Sequence, residues 1–252
     1  MTQWPWAHAG RVDIVVTVLS ALLWGAVASS SLVIGAVLGV IHRWDDRLVG
    51  AVLGFGAGAL ISSVSFELVE EGLAVSGGLP VALGLAAGGV VFFLGDRGVE
   101  KIGGRSAGGA AGLPLLLGAL LDGVPEQAVL GIGLGSGQGV SVALLVAIFV
   151  SNLPESIGSA TDMRAAGTKS RPIIIGWSVV AVVCALATLG GYAMSAGVDD
   201  RLTGAIDGFA AGALLVMLVS AMIPEAKKKA GDTAGLVAVL GFAVAAGLSA
   251  VS

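Results

Sequence analysis

Long apolar runs, separated by short polar or Gly-rich turns, fill almost the whole of this 252-residue sequence. The first run, Ile14–Ile41, is long enough to cross a hydrocarbon core of roughly 30 Å as one helix. With 56% hydrophobic and 12% charged residues, the composition excludes a soluble globular domain. We therefore predict an all-α integral membrane protein. The first run is too long for a signal-peptide core, so we expect it to be retained.

The other apolar runs give the predicted spans two to eight. They are Leu48–Leu68, Leu79–Leu94, Leu113–Leu134, Val140–Thr161, Pro172–Ala196, Leu202–Ile223 and Ala234–Val251. We interpret residues 1–252 as one transporter domain, with spans one to three in 1–94, spans four and five in 113–161, and spans six to eight in 172–252. The basic, Gly-rich stretch Gly95–Gly112 is expected to be a flexible cytoplasmic loop. The single cysteine, Cys184, excludes an intramolecular disulfide and a cysteine-based metal site.

The distribution of basic residues predicts how the spans are oriented. Of 13 Lys and Arg residues, 11 follow spans one, three, five and seven, and only Arg11 and Arg201 lie on the other side. Cytoplasmic loops normally carry the basic excess. We therefore expect both termini outside the cytoplasm of a plasma or bacterial inner membrane, with Lys227–Lys229 as a cytoplasmic anchor. Trp4 and Trp6 suit an anchor at the headgroups.

Two spans contain similar strings, which indicates an internal repeat. Gly54–Leu60 in span two matches Gly208–Leu214 in span seven, and the same register pairs Glu71 with Glu225. Because these spans would cross in opposite directions, we predict an inverted repeat, an arrangement that places a binding site near the midplane. Spans four and five form a second pair, which gives a 3+2+3 plan. Alternatively, such strings are merely common in Gly/Ala-rich membrane helices.

Spans four and five each carry a Pro-Glu step in the middle of an apolar run, Pro125-Glu126 and Pro154-Glu155. Proline has no amide hydrogen, so each step breaks one helical hydrogen bond and frees a carbonyl. A carboxylate at this depth costs roughly 2.5–3.5 kcal/mol on insertion scales, and it usually faces a protein interior or a water-filled path. The two steps therefore indicate a polar site between the spans.

Further oxygen groups lie on the same helix faces as the two glutamates. Asp122 precedes Glu126 by four residues, Ser151 precedes Glu155 by four, and Asn152 precedes it by three. Facing kinks would bring these five side chains together, and their charges would repel unless a cation or proton lay between them. Oxygen ligands suit hard divalent cations. We predict a divalent-cation site; the alternative is a set of protonated or hydrogen-bonded packing features.

Other acidic residues are candidates for a cation pathway or for ordinary helix ends. They are Glu67, Glu70, Glu71, Asp162 and Asp207. Glu67, at the outer end of span two, could collect cations, or it could belong to a solvated helix end. Asp162 lies on roughly the same face as Glu155 and could form a cytoplasmic exit, or it could pair locally with Arg164. We interpret Asp207 as an interfacial residue.

The motifs in spans four, five and seven resemble those of the ZIP (Zrt/Irt-like) divalent-metal transporters. That family has eight spans, extracytoplasmic termini, a Gly-rich loop before span four, and a His-Asn-x-Pro-Glu-Gly type motif with a related motif in span five. Asp122–Gln127 and Ser151–Ser156 resemble the two motifs here. Gly208–Ala213 and Met222–Ala226 resemble the family's seventh span. The resemblance touches nearly the whole chain.

The sequence departs from the family pattern at the histidines. Asp122 and Ser151 stand at the His positions, Gly123 stands at the first Asn position, and Ser220-Ala221 replaces the His-Glu pair of span seven. The positions that carry over unchanged are Glu126, Asn152 and Glu155. Without imidazole or thiolate ligands, we expect the site to favour Zn²⁺ less than a typical member does, and Mn²⁺, Fe²⁺ or Mg²⁺ more.

The resemblance implies transport of a divalent metal of the zinc, iron or manganese class toward the cytoplasm, with metal and bilayer as partners. It also implies that spans one, four, five and six move against the others, and that the protein forms a homodimer. No nucleotide-binding motif or nucleophile–base pair is found, so we expect neither an enzyme nor a nucleic-acid partner. A non-transporting ZIP-like scaffold or sensor, and a proton-coupled carrier of another small solute, remain alternatives.

Overall fold

A computed structural model describes residues 11–105, 112–137 and 139–250. Within these ranges the chain is helical and contains no strand. The eight helices are α1 Arg11–Ile41, α2 Asp46–Ser76, α3 Gly78–Arg105, α4 Gly112–Gly135, α5 Val142–Ala165, α6 Ser170–Ser195, α7 Asp200–Ala230 and α8 Thr233–Ser249. The predicted anchors Trp4 and Trp6 lie outside the described residues.

Seven of these helices, α1 to α7, are long and apolar enough to cross a membrane. Helix α8 is equally apolar but has only 17 residues. At a rise of about 1.5 Å per residue, a helix of that length falls short of a hydrocarbon core of roughly 30 Å. The all-α membrane fold is thus supported by seven candidate spans, whereas the eighth span and the 3+2+3 plan stay predictions.

Helix α3 extends further than the sequence indicates. It continues to Arg105, so the predicted loop Gly95–Gly112 is helical over its first part. Each glycine costs about 1 kcal/mol relative to alanine in a helix, which is too little to end a helix that contains no proline at this point. The guanidinium of Arg97 also lies 4.2 Å from the centre of the Phe93 ring, a contact one helical turn apart that favours the helical conformation.

Helices α2 and α7 share their internal construction. Each begins after an aspartate whose side chain accepts backbone N–H bonds, Asp45 for α2 and Asp199 for α7. Each also changes to a π-helical segment, Val64–Glu70 in α2 and Leu218–Met222 in α7. These features recur at the sequence offset that relates the two matching Gly/Ala strings. The similarity therefore extends from the strings to the geometry of both helices, while their inverted orientation stays a prediction.

Glycines bring these two helices into close contact with their neighbours. Helix α2 packs along α8, and α7 packs along α3. A Cβ at Gly58 would collide with the carbonyl of Ala238, and a Cβ at Gly212 would collide with the carbonyl of Leu85. Because lipid provides little hydrophobic drive for helix association, such backbone approach supplies much of the packing energy. Similar pairs join α1 to α5 and α4 to α6.

We expect Gly58→Val to destabilise the protein by about 1–3 kcal/mol, because the added side chain forces α2 away from α8. Thermal unfolding in detergent measures the effect. Gly247→Val is the matched control, since no atom lies within 4 Å of a Cβ built at Gly247, which is on α8 itself. Equal unfolding midpoints for the two variants would show that close packing at Gly58 contributes nothing.

Candidate cation site

The two Pro-containing helices meet at the predicted site. Pro125 lies within α4 and Pro154 lies within α5. The hydroxyl of Ser151 lies 3.4 Å from Glu126 Oε1, in a geometry that allows it to donate, and 3.0 Å from the carbonyl oxygen of Ile148. Glu126 is 2% exposed and Ser151 is fully buried. A direct contact between the two motifs therefore lies in the protein interior.

One cavity of about 530 Å³ collects four of the predicted acidic residues. Asp122 and Glu126 of α4 line it together with Glu155 and Asp162 of α5. We call it the carboxylate cavity. Asp122 and Glu126 lie close enough to Glu155 for their charges to interact. Residues from two separate helices thus place up to four negative charges around one space.

Asn152 and Ser151 lie beside the carboxylate cavity rather than on its wall. Asn152 is 1% exposed, and its Nδ2 has no hydrogen-bond partner among the described residues. The Oε2 atom of Glu126 also has no partner there. A buried polar atom without a partner costs about 1–3 kcal/mol. These atoms would gain most from a bound ligand or from water that reached the cavity.

The carboxylates share a space without forming a closed coordination shell. Among residues 11–105, 112–137 and 139–250, no three His, Cys, Asp or Glu side chains lie close enough together to hold a metal ion. Like charges separate when nothing lies between them. The predicted ligand set Asp122, Glu126, Asn152, Glu155 and Ser151 is therefore brought to one region, and its joint coordination of an ion stays a prediction.

Helix α7 supplies residues that the sequence analysis did not assign to the site. Ser220, Ala221 and Glu225 line the carboxylate cavity, and Leu53 of α2 lies on the same wall. The sequence signal that pointed to Glu225 was the internal repeat, which pairs Glu225 with Glu71. It did not identify Glu225 as a cavity residue, because the cavity forms only where α7 packs with α2, α4 and α5 in the tertiary structure.

A second buried polar contact joins α4 to α6. The hydroxyl of Thr188 donates to Gln127 Oε1 at 2.9 Å, and both side chains are fully buried. Gln127 follows Glu126 directly, and its Nε2 has no partner among the described residues. A Cβ at Gly25 of α1 would lie 2.7 Å from Thr188 Oγ1, so three helices converge here. The contact fixes the part of α4 that carries Glu126.

A separate cavity of about 750 Å³ contains the predicted pathway residue Glu67. We call it the Glu67 cavity, and Glu70, Glu71 and Asp207 also line it. Ser249 donates a hydrogen bond of 2.8 Å to Glu67 Oε1. Asp207 is only 4% exposed, so neighbouring helices cover it, and its interfacial position stays a prediction. One of these helices is α2, where a Cβ at Gly72 would lie 3.3 Å from Asp207 Cβ.

The two cavities share no lining residue, and an apolar layer lies between them along α4. The Glu67 cavity reaches Val129 and Leu130, and the carboxylate cavity begins at Glu126, one turn earlier. Val129 and Leu130 are 2% and 1% exposed. A path from one cavity to the other would therefore have to pass side chains that are now packed together.

No family model matches the chain. Among curated proteins, it is similar to an Arabidopsis thaliana protein named "Putative zinc transporter At3g08650". The two sequences are 25% identical over 226 residues, which cover 86% of this chain. The chain spans only 36% of the length of that relative. The likeness therefore covers most of this chain and about a third of the longer protein.

We expect Thr188→Val to lower the free energy of unfolding by about 1–3 kcal/mol, because it leaves the buried Gln127 amide without its one hydrogen-bond donor. Chemical or thermal unfolding in detergent measures the change. Ser178→Ala is the control on the same helix, since its hydroxyl donates to the carbonyl of Ile174 within α6. A Thr188→Val protein as stable as the control would contradict a role for this contact in holding α4.

Proposed function

We propose that this protein transports a divalent metal cation across a membrane through the carboxylate cavity. The proposal depends mainly on one observation: Asp122, Glu126 and Glu155, from two helices that each carry a Pro-Glu step, line the same cavity. Buried carboxylates of equal charge are strongly unfavourable unless a cation compensates them. The zinc transport indicated by the name of the Arabidopsis relative supports metal as the substrate.

In this proposal the ion exchanges water for carboxylate oxygens of Asp122, Glu126 and Glu155. Asn152 and Ser151 lie next to these groups and complete the ligand set after a small rearrangement. The Pro-Glu steps free backbone carbonyls that can face the same space. Because all these donors are oxygens, Mn²⁺ and Fe²⁺ suit the site at least as well as Zn²⁺ does.

The ion reaches the carboxylate cavity from the Glu67 cavity by alternating access. Glu67 and Asp207 attract cations at the outer side, and the packed layer at Val129 and Leu130 opens when the helices shift. Asp162 lies on the exit side. Transport runs toward the cytoplasm across a plasma or bacterial inner membrane, with both termini outside, as the basic residues of the loops indicate.

The moving unit in this proposal consists of α1, α4, α5 and α6, and α2, α3, α7 and α8 form the scaffold. The most extensive helix contacts lie within these groups: α1 with α5 and α6, α4 with α6, α2 with α7 and α8, and α3 with α7. The largest contact between the groups joins α2 to α5. Rigid-body motion of one bundle against the other is a general means of alternating access. We propose eight spans in a 3+2+3 inverted repeat, and a homodimer.

The same carboxylates could instead carry protons for another small solute. The observation that favours this alternative is the lack of a closed group of three metal-binding side chains in the described part of the chain. The two functions differ in the substrate that moves. Flux of a solute driven by pH without metal would support the carrier, and a protein that keeps its fold but moves neither would be a scaffold.

We expect Glu126→Gln and Glu155→Gln each to lower Mn²⁺ uptake into proteoliposomes at least about tenfold, because each removes a charge that offsets the ion's lost hydration. Asp200→Asn, which removes the same charge from an exposed position at the start of α7, is the control. Saturable uptake that persists in both Gln variants would refute the proposed site.

We expect Asp122→His to change the metal preference toward Zn²⁺, because imidazole favours zinc over manganese relative to a carboxylate. The purified protein is equilibrated with equal concentrations of both ions, and bound metal is measured by elemental analysis. The ratio of Zn²⁺ to Mn²⁺ should rise roughly tenfold over that of the unaltered protein. An unchanged ratio would show that residue 122 is not a ligand.

A further inference from the structure

Three consecutive lysines lie near the end of α7, and one of them is much less exposed than the other two. The side chains of Lys227 and Lys228 are 59% and 80% exposed, whereas that of Lys229 is 14% exposed. Lysines at the end of a membrane helix usually extend their ammonium groups toward water. Lys229 instead packs its stem against α2, where a Cβ at Gly50 would lie 2.6 Å from Lys229 Cβ. The stem of Lys229 is therefore held between helices and does not extend freely into water.

The ammonium of Lys229 lies against Gly158 of α5. A Cβ at Gly158 would lie 2.9 Å from Lys229 Nζ. Gly158 comes one turn after Glu155 and one turn before Asp162, so the charge is placed between these two side chains along the helix. The ammonium also lies 3.3 Å from Glu225 Oε1. The absence of a side chain at Gly158 provides the space that the ammonium needs.

Lys229 marks the junction of two cavities. One is the carboxylate cavity, and the other is a surface cavity of about 510 Å³ that also contains Asp45, Asp46 and Arg47. The charged residues that line both cavities are Asp162, Glu225, Lys228 and Lys229. An ion that left the carboxylate cavity through this junction would pass within contact distance of a fixed positive charge.

We propose that Lys229 is a tethered cation that competes with the transported metal for the cavity carboxylates and so lowers their affinity for it at the exit. This inference rests on the proposed transport function. Without metal, the ammonium pairs with Glu225 and places a positive charge on the wall that Glu155 and Asp162 also line. When a divalent ion enters, the two positive charges repel across a partly desolvated space, which favours displacement of the lysine and release of the ion. Lys229 thus acts on turnover rather than as a ligand.

Lys227 provides a matched control for charge and location. It belongs to the same turn of α7 but lines neither cavity. Its ammonium donates a hydrogen bond to Asp232, which lowers the pKa of that exposed carboxyl. Lys227→Met therefore removes one positive charge from the same protein surface without altering the cavity junction. A role of the lysines in membrane orientation alone would give the same result for both positions.

The first test measures Mn²⁺ affinity and uptake for the full-length protein and three variants. Lys229→Met keeps the length of the side chain without its charge, and we expect it to bind Mn²⁺ about tenfold more tightly and to lower both KM and kcat of uptake. Lys229→Arg should stay within about twofold of the unaltered protein, as should Lys227→Met. Equal affinities for Lys229→Met and Lys227→Met would overturn the proposal.

The second test uses the unaltered protein and so does not depend on the folding of a variant. Amine labelling, resolved by mass spectrometry, is compared with and without saturating Mn²⁺. Labelling of Lys229 should rise roughly threefold when the ion displaces its ammonium, and labelling of Lys227 should not change. Metal binding with unchanged Lys229 labelling would overturn the competition but leave the transport site intact. Lack of any Mn²⁺ binding by the unaltered protein would overturn the transport site and the competition together.

Discussion

The structure depends on how it offsets the free-energy cost of placing charged side chains among apolar helices, where water does not solvate them. Glu126, Gln127, Ser151 and Asn152 are almost completely buried, whereas Leu236 is 75% exposed. The usual pattern of a soluble protein is thus reversed, because lipid accepts the apolar side chains and only the protein interior can hold the polar ones. The buried polar groups of α4 and α5 therefore depend on partners inside the bundle.

Two kinds of contact hold the helices together, and they are distributed unequally. The pairs α2–α8 and α3–α7 approach through glycines that touch the opposite backbone, as at Gly58 and Gly212. The pairs α1–α5 and α4–α6 add side-chain hydrogen bonds to backbone carbonyls, for example from Thr161 to Gly39 at 3.3 Å and from Ser195 to Ile132 at 3.0 Å. Directional bonds fix the register of the helices that carry the site, which suits a unit that moves as one body.

Much of the fold could be predicted from the sequence because membrane helices have strong local signals. Each predicted run overlaps one observed helix, although several helix ends differ, and the structure brings Ser151 and Glu126 of the two Pro-Glu segments into contact. The end of α3 could not be predicted, because glycine content is typical of both loops and packed membrane helices.

The parts of the site contributed by α7 were beyond prediction for another reason. In the sequence Lys227, Lys228 and Lys229 are equivalent, and a cluster of this kind is typical of a cytoplasmic anchor. Only tertiary structure distinguishes Lys229, because its burial requires the missing side chains of Gly50 on α2 and Gly158 on α5. Neither glycine is near the lysines in sequence. The fit between Lys229 and two glycines on distant helices therefore cannot be recognised from the residues around Lys229 in the sequence.

The internal repeat shows where α2 and α7 differ in charge. In the register that pairs Glu71 with Glu225, Asp207 of the Glu67 cavity corresponds to Leu53 of the carboxylate cavity, and Lys229 corresponds to Val75. Helices α2 and α7 thus share their internal construction but carry different charges at these matching positions. The Glu67 cavity carries only acidic charges among its lining residues, whereas the ammonium of Lys229 lies at the junction of the carboxylate cavity. Under the proposed transport, a cation enters through the Glu67 cavity, which has acidic lining residues, and leaves the carboxylate cavity past the ammonium of Lys229. The direction of transport then depends on these side chains rather than on the backbone.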